Sequence, residues 1–112
     1  LLAWIDVETG VVGRLITGLW PTGKECREHP DTHAQLSGAQ LPDWFNALSL
    51  CCNAAELFPG LRLQHWDIAF SKKGPVLMEL NTEADLGVPQ YLGGKAFVTD
   101  GIKALMASRS GD

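Results

Sequence analysis

The chain lacks any apolar run approaching the roughly 20 residues that a membrane-spanning helix requires. It also lacks a surplus of cations. Nine Lys and Arg stand against 13 Asp and Glu, a net charge of −4, so there is no electrostatic footprint for nucleic acid or an anionic membrane. Cysteine is scarce. Cys26, Cys51 and Cys52 are odd in number and two are adjacent, which excludes a disulfide framework and fits a reducing, cytoplasmic setting. There is no initiator methionine and the first residues already read as mid-strand, so a piece of a longer protein is expected. Internal repeats and low-complexity tracts are missing as well. What remains is an ordinary globular composition, 46% apolar and 20% charged over 112 residues, enough for a single small domain with a modest core.

The local signals describe an α+β chain. Leu1 to Val7 reads as a strand, Glu8-Thr9-Gly10 as a turn, and Val11 to Leu19 as the returning strand. Gly13 and Gly18 interrupt that strand, as glycines do at bulges or close backbone approaches. Residues 20–41 form a long loop rich in Pro, Gly, His and Asp, a length that points to function or mobility. Its Cys26-x2-His29-x3-His33 spacing offers zinc ligands, but a structural site needs four and no second Cys or His pair stands nearby. Lys24 and Arg27 in the same loop can meet anions or simply face water. From Pro42 to Phe58, Trp44, Leu48, Cys51, Cys52, Ala55 and Phe58 recur at helical spacing, and Pro59-Gly60 ends the run. Cys51 and Cys52 suit small core positions better than reactive thiols. A loop or short turn over 82–94 precedes a terminal helix over 95–107, with fraying expected from Ser108 to Asp112. The expected architecture is an antiparallel β-sheet of two hairpins packed against two helices.

The second hairpin carries the chemistry. Two alternating runs, Leu61 to Phe70 and Pro75 to Asn81, flank Lys72-Lys73-Gly74, a three-residue loop with glycine where a left-handed conformation is needed. The expected register sets Phe70 against Val76, Ile68 against Met78 and Trp66 against Leu80 on one side of the pleat. The other side holds Ala69 against Leu77, Asp67 against Glu79, and His65 against Asn81. Two carboxylates directly across a ladder repel each other. A proton, screening water or a bound cation relieves the repulsion. Asn81 adds a neutral oxygen, and Asp, Glu and Asn oxygens suit a hard divalent ion such as Mg2+. A solvated polar face on a hairpin is the other reading of the same pattern. Glu83 and Asp85, in the next loop, either shape the metal surroundings or face water.

These residues carry a resemblance. Asp67, followed by Glu79-Leu80-Asn81, resembles the metal-binding end of the ATP-grasp fold, in which an acid on one strand precedes E-x-N on the next. Trp66-Asp67-Ile68-Ala69-Phe70 with Gly74-Pro75-Val76-Leu77-Met78-Glu79-Leu80-Asn81 is similar to the sugar-transfer-associated branch of that fold, as are His29-Pro30-Asp31-Thr32, Gly38 and Leu41-Pro42-Asp43-Trp44. The resemblance spans most of positions 1–92. It implies that residues 1–112 are the C-terminal subdomain of a longer ATP-grasp module, with the N-terminal nucleotide-gripping part and its phosphate-binding lysines absent.

It further implies ATP and Mg2+ (or Mn2+) as cofactors, held through Asp67, Glu79 and Asn81, and a small carboxylate as substrate. In the family, ATP phosphorylates a carboxylate and an amine or similar nucleophile displaces the phosphate. Several members place an Arg two residues before the first acid, where it holds developing phosphoryl charge. Here that position is His65, which becomes the candidate catalytic residue. His33 stands where the upstream motif carries glycine. The resemblance therefore implies a portion of an ATP-dependent carboxylate-activating ligase, inactive as an isolated fragment, which as a fragment could dimerise over its open sheet edge. Two other readings stay open: a metal- or nucleotide-binding remnant without catalysis, and a structural α+β interaction domain.

Overall fold

The computed structural model describes residues 1–19, 21–83 and 85–108. It is α+β, with two antiparallel sheets and, among the described residues, three helices. The chain divides into two compact units, residues 1–42 with 87–96, and residues 43–86 with 97–112.

The first unit is built on a three-stranded sheet in the order β1 (Leu2–Ile5), β2 (Val12–Thr17), β3 (Lys24–Cys26). The β1–β2 turn is held by Asp6, whose carboxylate accepts from the Thr9 hydroxyl and from the amides of Glu8 and Thr9. Those bonds, led by the hydroxyl of Thr9, hold its carboxyl below the ordinary aspartate value. Between Ala3–Leu15 and Ile5–Val12 the pairing shifts, so β2 spends an extra residue at Gly13-Arg14 opposite Trp4. The expected glycine bulge is therefore present. Val12, Leu15 and Ile16 on β2 form the buried core together with Leu92 of α2 (Gly87–Gly93). Two glycines make that packing possible. A side chain at Gly23 would meet Ile16 at 2.6 Å, and one at Gly93 would meet the Trp4 indole at 3.1 Å.

Two differences from the sequence expectations lie in this unit. The third strand falls inside the expected loop, and α2 forms where a loop or turn was expected. Lys24-Glu25-Cys26 carries no alternating apolar signal, because only one of its three side chains is even half-buried. Arg14 supplies long-range ties that no local pattern announces. Its guanidinium reaches Glu25 at 3.2 Å, donates to the Tyr91 carbonyl at 2.9 Å and lies 5.7 Å from the Tyr91 ring centre. Gly94, with φ of 64°, then ends α2 in the left-handed conformation.

The second unit holds α1 (Trp44–Glu56), the hairpin of β4 (His65–Ser71) and β5 (Gly74–Asn81), and α3 (Asp100–Ala107). The long amphipathic run forms α1 as expected, and α1 packs on β5. The buried centre of its face is Ala47, with Trp44, Leu48, Cys51 and Ala55 half-buried beside it, whereas Cys52 is exposed. Burial pushes the Cys51 thiol up. The last helix starts later than expected because the Thr99 hydroxyl caps it, accepting from the Ile102 amide. Arg62 closes its other end through the Leu105 carbonyl and the Ser108 hydroxyl. Fraying past Ser108 lies outside the described residues.

Gln64 joins α1 to the hairpin. Its amide nitrogen donates to the carbonyls of Ala55, Phe58 and Leu61 at 3.1, 3.2 and 2.9 Å. Its oxygen accepts from the Trp66 indole at 3.0 Å. One side chain thus satisfies carbonyls at the end of α1 and fixes the ring beside Asp67. Replacing Gln64 with Ala should destabilise the chain by about 1–2 kcal/mol in urea unfolding, the loss expected for partly buried hydrogen bonds. His33, at φ of 56°, occupies the left-handed region that favours glycine, so His33→Gly should raise stability by about 1 kcal/mol in the same measurement.

Candidate functional site

The open end of the β4–β5 hairpin brings the candidate residues together. Asp67 pairs with Glu79 and His65 with Asn81, in the expected register, with Trp66–Leu80 between them on the opposite face. Alternation along each strand then sets His65, Asp67, Glu79 and Asn81 on one side of the pleat. Asp67 and Glu79 are exposed, His65 and Asn81 half-buried.

Among the described residues no Lys or Arg forms an ion pair on this face. Among the described residues the ion pairs are Arg14–Glu25, His33–Glu28 and Lys103–Asp100, and none involves Asp67 or Glu79. The chemistry of the donor set, two carboxylates and a carboxamide oxygen, fits a hard divalent cation. It falls short of a complete protein cage. Among the described residues no group of three or more His, Cys, Asp or Glu could hold a metal ion. Glu83 and Asp85, beyond β5, are exposed.

The turn end differs from the expected register. Gly74 is left-handed at φ of 111°, as the loop demands, but Ser71 pairs with Gly74, which sets Phe70 against Pro75 rather than Val76. Phe70–Pro75, Ala69–Val76 and Ile68–Leu77 follow, and the frame changes between Ile68 and Asp67. Met78 is the extra residue. The expected alignment is recovered only beyond it, at the acidic pair.

The loop of residues 27–41 in the first unit is tied by backbone hydrogen bonds to the start of β2. Val12 donates to the Ala39 carbonyl at 2.8 Å, Gly38 to that of Val12 at 2.7 Å, and Leu41 to that of Gly10 at 3.0 Å. Gln40 reaches the Thr9 carbonyl at 2.7 Å. At its tip the His29 Nδ1 accepts from the amides of Asp31 and Thr32 at 3.2 and 3.3 Å. A ring nitrogen that accepts carries no proton, so the proton sits on Nε2. Among the described residues Cys26, His29 and His33 do not come together as a group that could hold a metal ion, which counts against the Cys26-x2-His29-x3-His33 zinc reading.

A family profile described as sugar-transfer associated ATP-grasp matches residues 1–104. The chain belongs to this family. No curated protein and no solved structure matches it. ATP-grasp proteins generally bind ATP with Mg2+, and the match takes in both the acidic hairpin and the His29-Pro30-Asp31-Thr32 loop. None of the described helices is long and apolar enough to cross a membrane.

The residue that sequence reasoning missed near the site is Gln64. A polar residue immediately before a strand, following Pro59-Gly60, was its only local signal. Long-range ¹H–¹⁵N NMR near neutral pH should find the neutral His29 ring protonated on Nε2. A protonated Nδ1 in the neutral ring would show that the loop has a different structure.

Proposed function

We propose that this chain supplies the Mg-ATP-binding portion of an ATP-dependent, carboxylate-activating ligase, working as the C-terminal part of a longer ATP-grasp module. The observation that supports this reading is the Asp67–Glu79 pair, opposed across the ladder, flanked by His65–Asn81 and unpaired with any cation among the described residues. Asp67 and Glu79 would hold the metal by charge, and Asn81 would add an oxygen ligand without adding charge. Bound there, Mg2+ would neutralise the repulsion between nucleotide phosphates and a substrate carboxylate.

His65 stands on the same face and, when protonated, donates toward phosphoryl oxygens as an arginine would. The reaction class is phosphorylation of a carboxylate to an acyl phosphate, with ADP leaving, followed by displacement of phosphate by an amine or similar nucleophile. The residues named here serve the first of these steps. The nucleotide-gripping lysines and the acceptor site belong to the rest of the module in this reading.

The test exploits the sign of the carboxylate repulsion. Without metal, Asp67→Asn should stabilise the chain slightly, by about 0.2–1 kcal/mol, because it removes a like charge from the rung. With Mn2+ at about 100 times its dissociation constant, the wild-type chain should gain about 2.7 kcal/mol. The Asp67→Asn chain should gain little, so the two stability curves cross as metal is added. Thermal melts across a Mn2+ titration measure this. Parallel curves that never cross would leave the pair as a solvated polar rung and remove the ligase reading.

A further inference from the structure

The β4–β5 hairpin is built in two frames. From the tip, Ser71–Gly74, Phe70–Pro75, Ala69–Val76 and Ile68–Leu77 form one run. From the open end, His65–Asn81, Trp66–Leu80 and Asp67–Glu79 form another. Met78 lies between them on β5 with no partner on β4. If the tip frame continued unbroken, Met78 would face Asp67, Glu79 would face Trp66, and Leu80 would face His65. Alternation would then carry Glu79 to the other side of the pleat and leave Asp67 alone.

Each frame is anchored separately. At the tip, the Ser71 hydroxyl donates to the Gly74 carbonyl at 2.8 Å and accepts from the Lys73 amide at 3.1 Å, next to the left-handed Gly74. At the open end, Trp66 is held by Gln64 and by the Phe58 ring at 6.1 Å. The one-residue mismatch is absorbed beside the acidic pair. Core packing does not account for the extra residue, because the Met78 side chain is 67% exposed.

We infer that the bulge at Met78 is a positioning device for the Glu79 carboxylate: the extra backbone residue, and not its thioether, sets how Glu79 is presented beside Asp67 to a divalent cation. This rests on the metal reading proposed above. In a regular antiparallel rung, opposed residues sit about 4.5–5.5 Å apart at Cα and their side chains stand side by side. A bulge raises the local twist and re-aims the adjacent side chain. Turned relative to Asp67, Glu79 can approach the same ion from a different direction. Deleting Met78 separates the bulge from the pairing. The tip frame then runs straight into Asp67–Glu79, with the same partners and without the twist.

The experiment compares the whole chain in three forms: wild type, Met78→Ala, and a deletion of Met78. Free Mn2+ is followed by electron paramagnetic resonance, and cross-strand proton contacts between residues 67 and 79 by NMR. Met78→Ala should bind Mn2+ within twofold of wild type. The deletion form should keep the 67–79 contact, melt no lower than wild type, and bind at least tenfold more weakly. Equal Mn2+ binding by the deletion form overturns the positioning role alone. So does a large loss in Met78→Ala, which would make the thioether responsible, or a deletion form that no longer folds, which would make the residue structural. A wild-type chain that leaves Mn2+ free overturns the metal reading and this inference with it.

Discussion

Two carboxylates at one rung of an antiparallel ladder push against each other, and the rest of the hairpin has to hold them there. The repulsion is modest, up to about 1 kcal/mol, comparable with one net hydrogen bond. Apolar cross-strand pairs of similar size oppose it at Trp66–Leu80, Ile68–Leu77 and Phe70–Pro75. Gln64 adds polar bonds that immobilise the indole next to the acid. The strands therefore hold this rung with no ion pair at either carboxylate among the described residues, a condition suited to receiving a cation. A site that relaxed its own repulsion, by an internal salt bridge for instance, would have to break that bridge before a metal could enter.

The first unit follows a different logic. Its core is small, and its order comes from polar ties between segments distant in sequence. Arg14 joins β2 to β3 and to α2, and the 27–41 loop is stitched along the start of β2 by backbone bonds. A loop paired in this way presents fixed groups. His29 is the clearest case, since two amides settle which of its nitrogens bears the proton. The left-handed His33 shows where the loop is strained, at the place where the family resemblance led one to expect glycine.

Much of this was legible in the residues. Alternation gave the two strand pairs, helical spacing gave α1, and the Asp67, Glu79 and Asn81 pattern gave the acidic face in its observed register. The unread parts share a cause. The β3 strand is held by pairing with β2 and shows almost no burial, so period-two patterning had nothing to detect. Ala47, the buried centre of α1, is too small to stand out among Trp44, Leu48 and Cys51. α2 depends on Leu92 entering the core of β2 and on Gly93 lying flat against Trp4 of β1, both of them contacts with residues far away in the sequence. The tip frame could not be foreseen because a bulge can restore a register after any earlier slip.

The lysines at the hairpin tip illustrate how distance partitions charge. Lys72, in the turn just past β4, is five residues from Asp67, roughly 17 Å of extended chain. That is about twice the Debye length at physiological ionic strength. Counter-ions in the solvent thus insulate the acidic rung from the basic tip. The hairpin carries both signs at once, yet the negative potential at Asp67 and Glu79 is set locally, undiluted by the cations of the turn that joins their strands.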